Sequence, residues 1–144
     1  MAKRKLKTVI LDDDAGIVRL VKTILRGAFG SELELVDFTN AQEAQNWIGS
    51  NCCDLLISDI EMPGIDGQDM LVFAKQRNAW TQVVFLTGQS SWMHVTQAVE
   101  NGASDFLLKP IQRAELCNIV QQHIERAARW QSALFPKPIA SAGV

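Results

Sequence analysis

The chain has 144 residues, 47% apolar and 21% charged, with 14 Lys and Arg against 16 Asp and Glu. That length suits one domain with a core of its own, and that balance excludes wholesale disorder. A net charge of -2 and a pI near 5.6 argue against a nucleic-acid grip by this domain, and no stretch approaches the ~20 apolar residues that cross a bilayer.

In chain order, Lys3-Arg4-Lys5 with Lys7 just beyond reads as a solvated N-terminal run. Asp12-Asp13-Asp14 follows too soon for a signal peptide, so a cytoplasmic chain is expected. Thr8 to Leu11 is a short apolar strand with those acids at its carboxyl end, Asp14 being suited to capping a helix. Ile17, Leu20, Val21, Ile24, Leu25 and Ala28 form the stripe of an amphipathic helix that stops between Gly27 and Gly30. Leu33 to Phe38 is a second strand, and Asn40 suits the N-cap of a helix ending near Gly49. Cys52 and Cys53 are adjacent and Cys117 stands alone, which gives neither a metal spacing nor a disulfide framework, so reduced thiols are expected.

Asp54 to Asp59 is a third strand, leading into the loop Met62-Pro63-Gly64-Ile65-Asp66-Gly67 and a helix carrying Met70, Leu71, Phe73 and Ala74. Gln82 to Thr87 is the fourth strand, and Val95, Ala98 and Val99 mark a fourth helix stopped by Gly102. Asp105 to Leu108 is the fifth strand, closed by Lys109-Pro110. Leu116, Ile119, Val120, His123, Ile124 and Ala127 give the last helical stripe. Five near-continuous apolar strands alternating with helices predict an α/β fold, a parallel sheet covered on both faces. The division expected is a domain over residues 1–129, then a linker-like tail over 130–144 containing Phe135-Pro136-Lys137-Pro138.

Ligands of open α/β sheets bind beyond the carboxyl ends of the strands. Here those ends carry Asp12 and Asp13, Asp59, Thr87 and Lys109. If the first and third strands are neighbours, ~5 Å apart, their carboxylates converge on one pocket. Such a set repels unless a cation joins it, and oxygen-only ligands of high charge select a hard divalent ion, Mg2+ first. A hydroxyl and an ammonium complete a group able to hold phosphoryl oxygens. Taken singly, each residue has a plainer reading: the aspartates as turn formers, Thr87 as structural, Lys109 as a solvated loop residue. Their common placement on one sheet edge favours the functional reading.

The blocks Asp12-Asp13, Ser58-Asp59-Ile60-Glu61-Met62-Pro63-Gly64, Gly67, Phe85-Leu86-Thr87-Gly88 and Asp105-Phe106-Leu107-Leu108-Lys109-Pro110 closely resemble the receiver domain of two-component response regulators. The resemblance runs from about Lys7 to Arg126. It implies a flavodoxin-like (βα)5 fold with strand order 2-1-3-4-5. It implies that Asp59 accepts a phosphoryl group from a histidine kinase, a phosphotransfer protein or a small acyl phosphate, making the chain a switch rather than an enzyme. Asp13 and Asp59 would ligate Mg2+, or Mn2+ as the alternative, with Asp12 acting through water and Glu61 offering its backbone carbonyl. Thr87 and Lys109 would contact the phosphoryl oxygens, Thr87 and Phe106 would form the switch, and the bond before Pro110 would be cis. Phe106 lacks the hydroxyl of the Tyr that often stands there.

Output is then expected on the face made by the fourth helix, fifth strand and fifth helix, toward a partner protein, an output domain or a second copy on phosphorylation, with no direct nucleic-acid or membrane contact. Trp92 and Met93 fall on that face, as a lid over the sheet or as a docking anchor. The alternatives are a phosphorylation-independent receiver that only docks partners, and an Asp-nucleophile phosphohydrolase. The latter wants a second Asp two residues after the nucleophile, where this chain has Glu61. A dinucleotide site is excluded by the lack of a G-x-G-x-x-G after the first strand.

Overall fold

The computed structural model describes residues 4–88 and 92–134, without the side chains of Trp92, His94 and Leu134. The elements are β1 (Leu6–Leu11), α1 (Ala15–Phe29), β2 (Leu33–Phe38), α2 (Ala41–Ser50), β3 (Leu55–Asp59), α3 (Gly67–Arg77), β4 (Gln82–Thr87), α4 (Trp92–Glu100), β5 (Asp105–Leu108) and α5 (Arg113–Leu134). All five strands are parallel, in the order β2-β1-β3-β4-β5. This is the expected flavodoxin-like order.

The pleat divides the apolar strands between two cores. Ile10, Ile57, Val84, Leu86 and Leu107 face α1 and α5, meeting Val21, Leu25, Leu116 and Val120. Val9, Leu11, Leu56, Val83 and Phe85 face the other way, onto Ala44, Ile48, Met70, Leu71 and Ala98. Both faces are therefore dry, which is why the strands are apolar throughout rather than alternating. Each fully buried Leu or Ile contributes about 1.5–3 kcal/mol of transfer free energy.

Helix starts follow side-chain chemistry. Asp14 accepts from Gly16 N, Asn40 from Glu43 N and Asp66 from Asp69 N, each satisfying an amide the helix leaves unpaired. Three boundaries differ from the sequence reading, the first being β1, which opens at Leu6 rather than Thr8. Asp54 precedes β3 rather than opening it, because its carboxylate is engaged in accepting from both Arg4 guanidinium nitrogens at 2.8 and 2.9 Å and from Lys7 N at 2.8 Å. The last helix continues past residue 129 to Leu134, since Trp130 to Leu134 contains no breaker before Pro136 disfavours helix at the residue ahead of it. The Phe135-Pro136-Lys137-Pro138 segment lies outside the described residues, as does the Trp92 side chain for which a lid or an anchor was expected.

The β3–α3 loop is held against the sheet edge by Gly67. Its N–H donates to Ile60 O at 2.7 Å, and a Cβ there would lie 2.4 Å from Asp59 O and 2.7 Å from Ile60 Cα. Backbone cannot yield as a flexible side chain can. Gly67→Ala should therefore destabilise the fold by about 2 kcal/mol or more, read by urea denaturation. Gly27→Ala, where nothing lies within 4 Å of the added carbon, is the paired control and should cost nothing.

Candidate functional site

Register brings the chemistry together. Leu11 pairs with Ser58, Asp59 with Leu86 and Thr87 with Leu108, so Asp12, Asp59, Thr87 and Lys109 leave four neighbouring strands at one level. The Lys109 amide then donates to Thr87 O at 2.8 Å, and the Lys109–Pro110 peptide bond is cis. Asp12 is fully buried, Asp59 and Thr87 are 7% and 4% exposed, and Asp13 is exposed.

Carboxylate oxygens of Asp12, Asp13 and Asp59 all lie within 4.8 Å of one another. Lys109 Nζ sits 2.7 Å from Asp12 Oδ2 and 3.5 Å from Asp59 Oδ2. Asp12 Oδ1 accepts a further bond from Asp14 N at 2.9 Å, at the start of α1. The aspartate predicted to cap α1 thus also directs its own amide at the acid cluster. Burial, then the charge of Asp12, push the Asp59 carboxyl up to about 6; Lys109 pulls it back and Asp13 adds to the rise. Lys109 is shifted the other way to what its own burial favours: the hydrogen bond and charge of Asp12, and then Asp59, hold the ammonium charged above its ordinary range.

One ammonium among three carboxylates leaves net negative charge in a partly buried pocket. Hard oxygen donors with an excess of charge fit a divalent cation of the Mg2+ type. Glu61, offered by the sequence as a carbonyl donor, has an exposed side chain in the loop after β3 and lines a cavity of about 380 Å3 with Met62, Pro63, Asp66, Gln68 and Gln97. Phe106 is 42% exposed at the rim of a second cavity, of about 220 Å3, whose walls include Thr87, Ile60, Val95, Ala98 and Val99. That cavity was not legible in the sequence. It arises where α4 meets β5, and no local pattern reports a gap between elements.

The fold and the acid cluster at its carboxyl edge define a doubly wound α/β domain with a candidate cation site beyond its strand ends. The chain belongs to the response regulator receiver domain family, whose sequence profile matches residues 8–121. It is 34% identical over 115 residues to the DNA-binding transcriptional regulator NtrC of Escherichia coli K12, covering 80% of this chain and 24% of that protein. Response regulator protein TodT of Pseudomonas putida is 26% identical over 132 residues, covering 92% of this chain and 57% of the relative. The chain thus spans about a quarter to a little over half of these relatives. Among solved structures it resembles a receiver domain (CheY-like) from Methanospirillum hungatei, with TM-score 0.80, 21% identity, and 88% and 98% of the two chains covered. The receiver domain of a LuxO repressor protein from Vibrio parahaemolyticus gives TM-score 0.81 at 23% identity, covering 94% and 100%. Among the described residues, no helix is long and apolar enough to cross a membrane.

The raised Asp59 carboxyl sets the sign of a pH effect. Between the ordinary 3.8 and about 6 the folded state holds a proton that the unfolded state has released, so this group's contribution to stability declines as pH rises through that window. In metal-free protein, Asp59→Asn should melt at a higher temperature than wild type at pH 7.5, with the advantage shrinking through pH 6 and vanishing near pH 4. Thermal melts in a chelating buffer check this. An equal advantage at pH 4 and 7.5 would show that charge is not its origin.

Proposed function

We propose that this domain is a phospho-acceptor switch, with Asp59 as the acceptor and a histidine kinase, phosphotransfer protein or small acyl phosphate as the donor. The observation that carries the reading is the meeting of Asp12, Asp13 and Asp59 oxygens within 4.8 Å, with Lys109 Nζ 3.5 Å from Asp59 and Thr87 on the next strand. An Asp59 oxygen attacks phosphorus, the bond from phosphorus to the donor breaks, and the donor leaves with its electron pair. The product is an acyl phosphate. Lys109 and Thr87 meet the transferred oxygens, the ammonium offsetting charge as it develops. Asp13 and Asp59, with Asp12 through water and the Glu61 carbonyl, would hold Mg2+. That ion supplies positive charge that both relieves the carboxylates and screens the incoming phosphoryl group.

The acyl phosphate draws Thr87 inward, and the 220 Å3 cavity beside it is large enough for the Phe106 ring, since cavities of about 150 Å3 accept benzene. Entry of the ring changes the face carrying Met93, Val99 and Leu108, which are 68%, 68% and 45% exposed. That face of α4, β5 and α5 is the surface for a partner or output domain, a second copy on phosphorylation being one such partner. The coupling is a population shift between two packings, biased by contacts the phosphoryl group makes in only one of them.

Intact mass after incubation with acetyl phosphate and Mg2+ should rise by one phosphoryl group in wild type and stay unchanged in Asp59→Asn. Equal labelling of both would remove Asp59 from the role. Mg2+ alone should raise the melting temperature, by the equivalent of about 2.7 kcal/mol when its concentration is 100 times Kd, and Asp13→Ala should abolish that rise. Beryllofluoride, a phosphoryl mimic on aspartate, should shift the ring resonances of Phe106 in wild type and much less in Thr87→Ala. Equal shifts in both proteins would break the Thr87–Phe106 link.

A further inference from the structure

His123 is a buried polar side chain of the α1–α5 core that the acid pocket does not explain. It lies on the buried stripe of α5 with Leu116 and Val120 and is 4% exposed, yet neither Nδ1 nor Nε2 has a hydrogen-bond partner among the described residues. A neutral imidazole carries one N–H and one lone pair, and burying both unpaired costs free energy that an apolar residue would not. Sequence patterning absorbed this residue into a helical stripe and gave it no further role.

We propose that His123 makes the docking of α5 on the sheet sensitive to acid, a proton taken from solvent onto its free ring nitrogen loosening the helix from β5. The surroundings set the direction. Burial disfavours the charged ring, the guanidinium of Arg126 opposes it further, and Asp105 on β5 favours it, with a net displacement below the ordinary histidine range. Leu107 faces the α1–α5 core, so Asp105, two residues earlier on the same strand, shares that side. Arg126 donates to Gln82 at 3.1 Å and feels Lys75 of α3. On α1, which also packs against α5, Arg19 and Arg26 are exposed and Lys22 pairs with Asp37 at 2.7 Å. The other α5 charges, Arg113, Glu115, Glu125 and Arg129, are exposed. Asp105 is therefore the one carboxylate acting on the ring.

The proton has a defined consequence. Because the folded ring resists protonation, stability present above pH 6.5 is lost as pH falls through the lowered folded value. Charge on the ring is disfavoured in the apolar α5–β5 interface, and its attraction to Asp105, whose Oδ1 accepts from the Phe106 amide at 3.2 Å, offsets only part of that cost. Acid thus acts on the strand that carries the exposed Phe106, independently of Asp59.

Nuclear magnetic resonance titration of the imidazoles in the whole chain tests this, with His94→Gln assigning the two signals. His123 should titrate below pH 6.5, lower still in Asp105→Asn and higher in Arg126→Gln. Amide exchange, corrected for its intrinsic pH dependence, should rise several-fold in α5 relative to β1 between pH 7.5 and 5.5. His123→Phe should remove that rise, and if that variant fails to fold, the wild-type titration decides alone. Titration at or above 6.5, or α5 protection equal at the two pH values, overturns the proposal. The same response should persist in Asp59→Asn. Its disappearance there would place the acid effect in the carboxylate pocket and overturn the assignment to His123, whereas failure of Asp59 to accept a phosphoryl group would leave it standing.

Discussion

Everything at the carboxyl edge of the sheet depends on one ammonium among three carboxylates. Lys109 Nζ lies 2.7 Å from Asp12 and 3.5 Å from Asp59, and the acids would otherwise face one another across less than 5 Å in a partly buried site. Coulomb repulsion at such separations is on the order of several kcal/mol when water is partly excluded. A single positive charge offsets part of it. Burial first, and then the neighbouring Asp12 charge, push the Asp59 carboxyl up to about 6. Such an excess of negative charge would favour a cation here, and under the proposed function that cation would make room for an anionic phosphoryl group.

The rest of the fold can be read as support for that edge. A doubly covered parallel sheet fixes the level at which each strand ends, so four side chains from four strands converge without any of them being near another in sequence. The tight approach of Gly67 to Asp59 and Ile60 folds the β3–α3 loop back against the end of β3. At the opposite end, Asp54 ties Arg4 and Lys7 to the start of β3 and fixes the register from below. Register matters because a slip of one residue would turn Asp59 into the core and Ser58 toward the pocket.

A short fifth strand at the sheet edge makes the outward face responsive. β5 buries Leu107 and leaves Phe106 and Leu108 exposed, while α4 leaves Met93 and Val99 exposed and carries one formal charge, Glu100. A cavity lies directly behind Phe106. Under the proposed switch the ring would have two packings, exposed and turned into the cavity, and a phosphoryl group beside Thr87 would bias them.

The amino-acid sequence by itself determined the βα rhythm, because apolar runs, helical stripes and the caps Asp14 and Asn40 are local signals. It also placed Asp12, Asp59, Thr87 and Lys109 at strand ends, since strand ends are read from where an apolar run stops. Strand order came from resemblance to the receiver family, because periodicity says that strands are buried without saying which is beside which. Tertiary structure alone decided the rest. The Lys109–Asp12 pairing joins residues far apart in the chain, the Gly67 approach depends on backbone from another segment, and the cavity beside Phe106 is a space between elements. His123 shows the limit most clearly: a histidine on an apolar stripe reads as one more core position, and only the packed neighbours reveal that its ring nitrogens are buried without partners. Local patterns record what each residue prefers, whereas charge, clearance and polar satisfaction are properties of the groups that folding brings together.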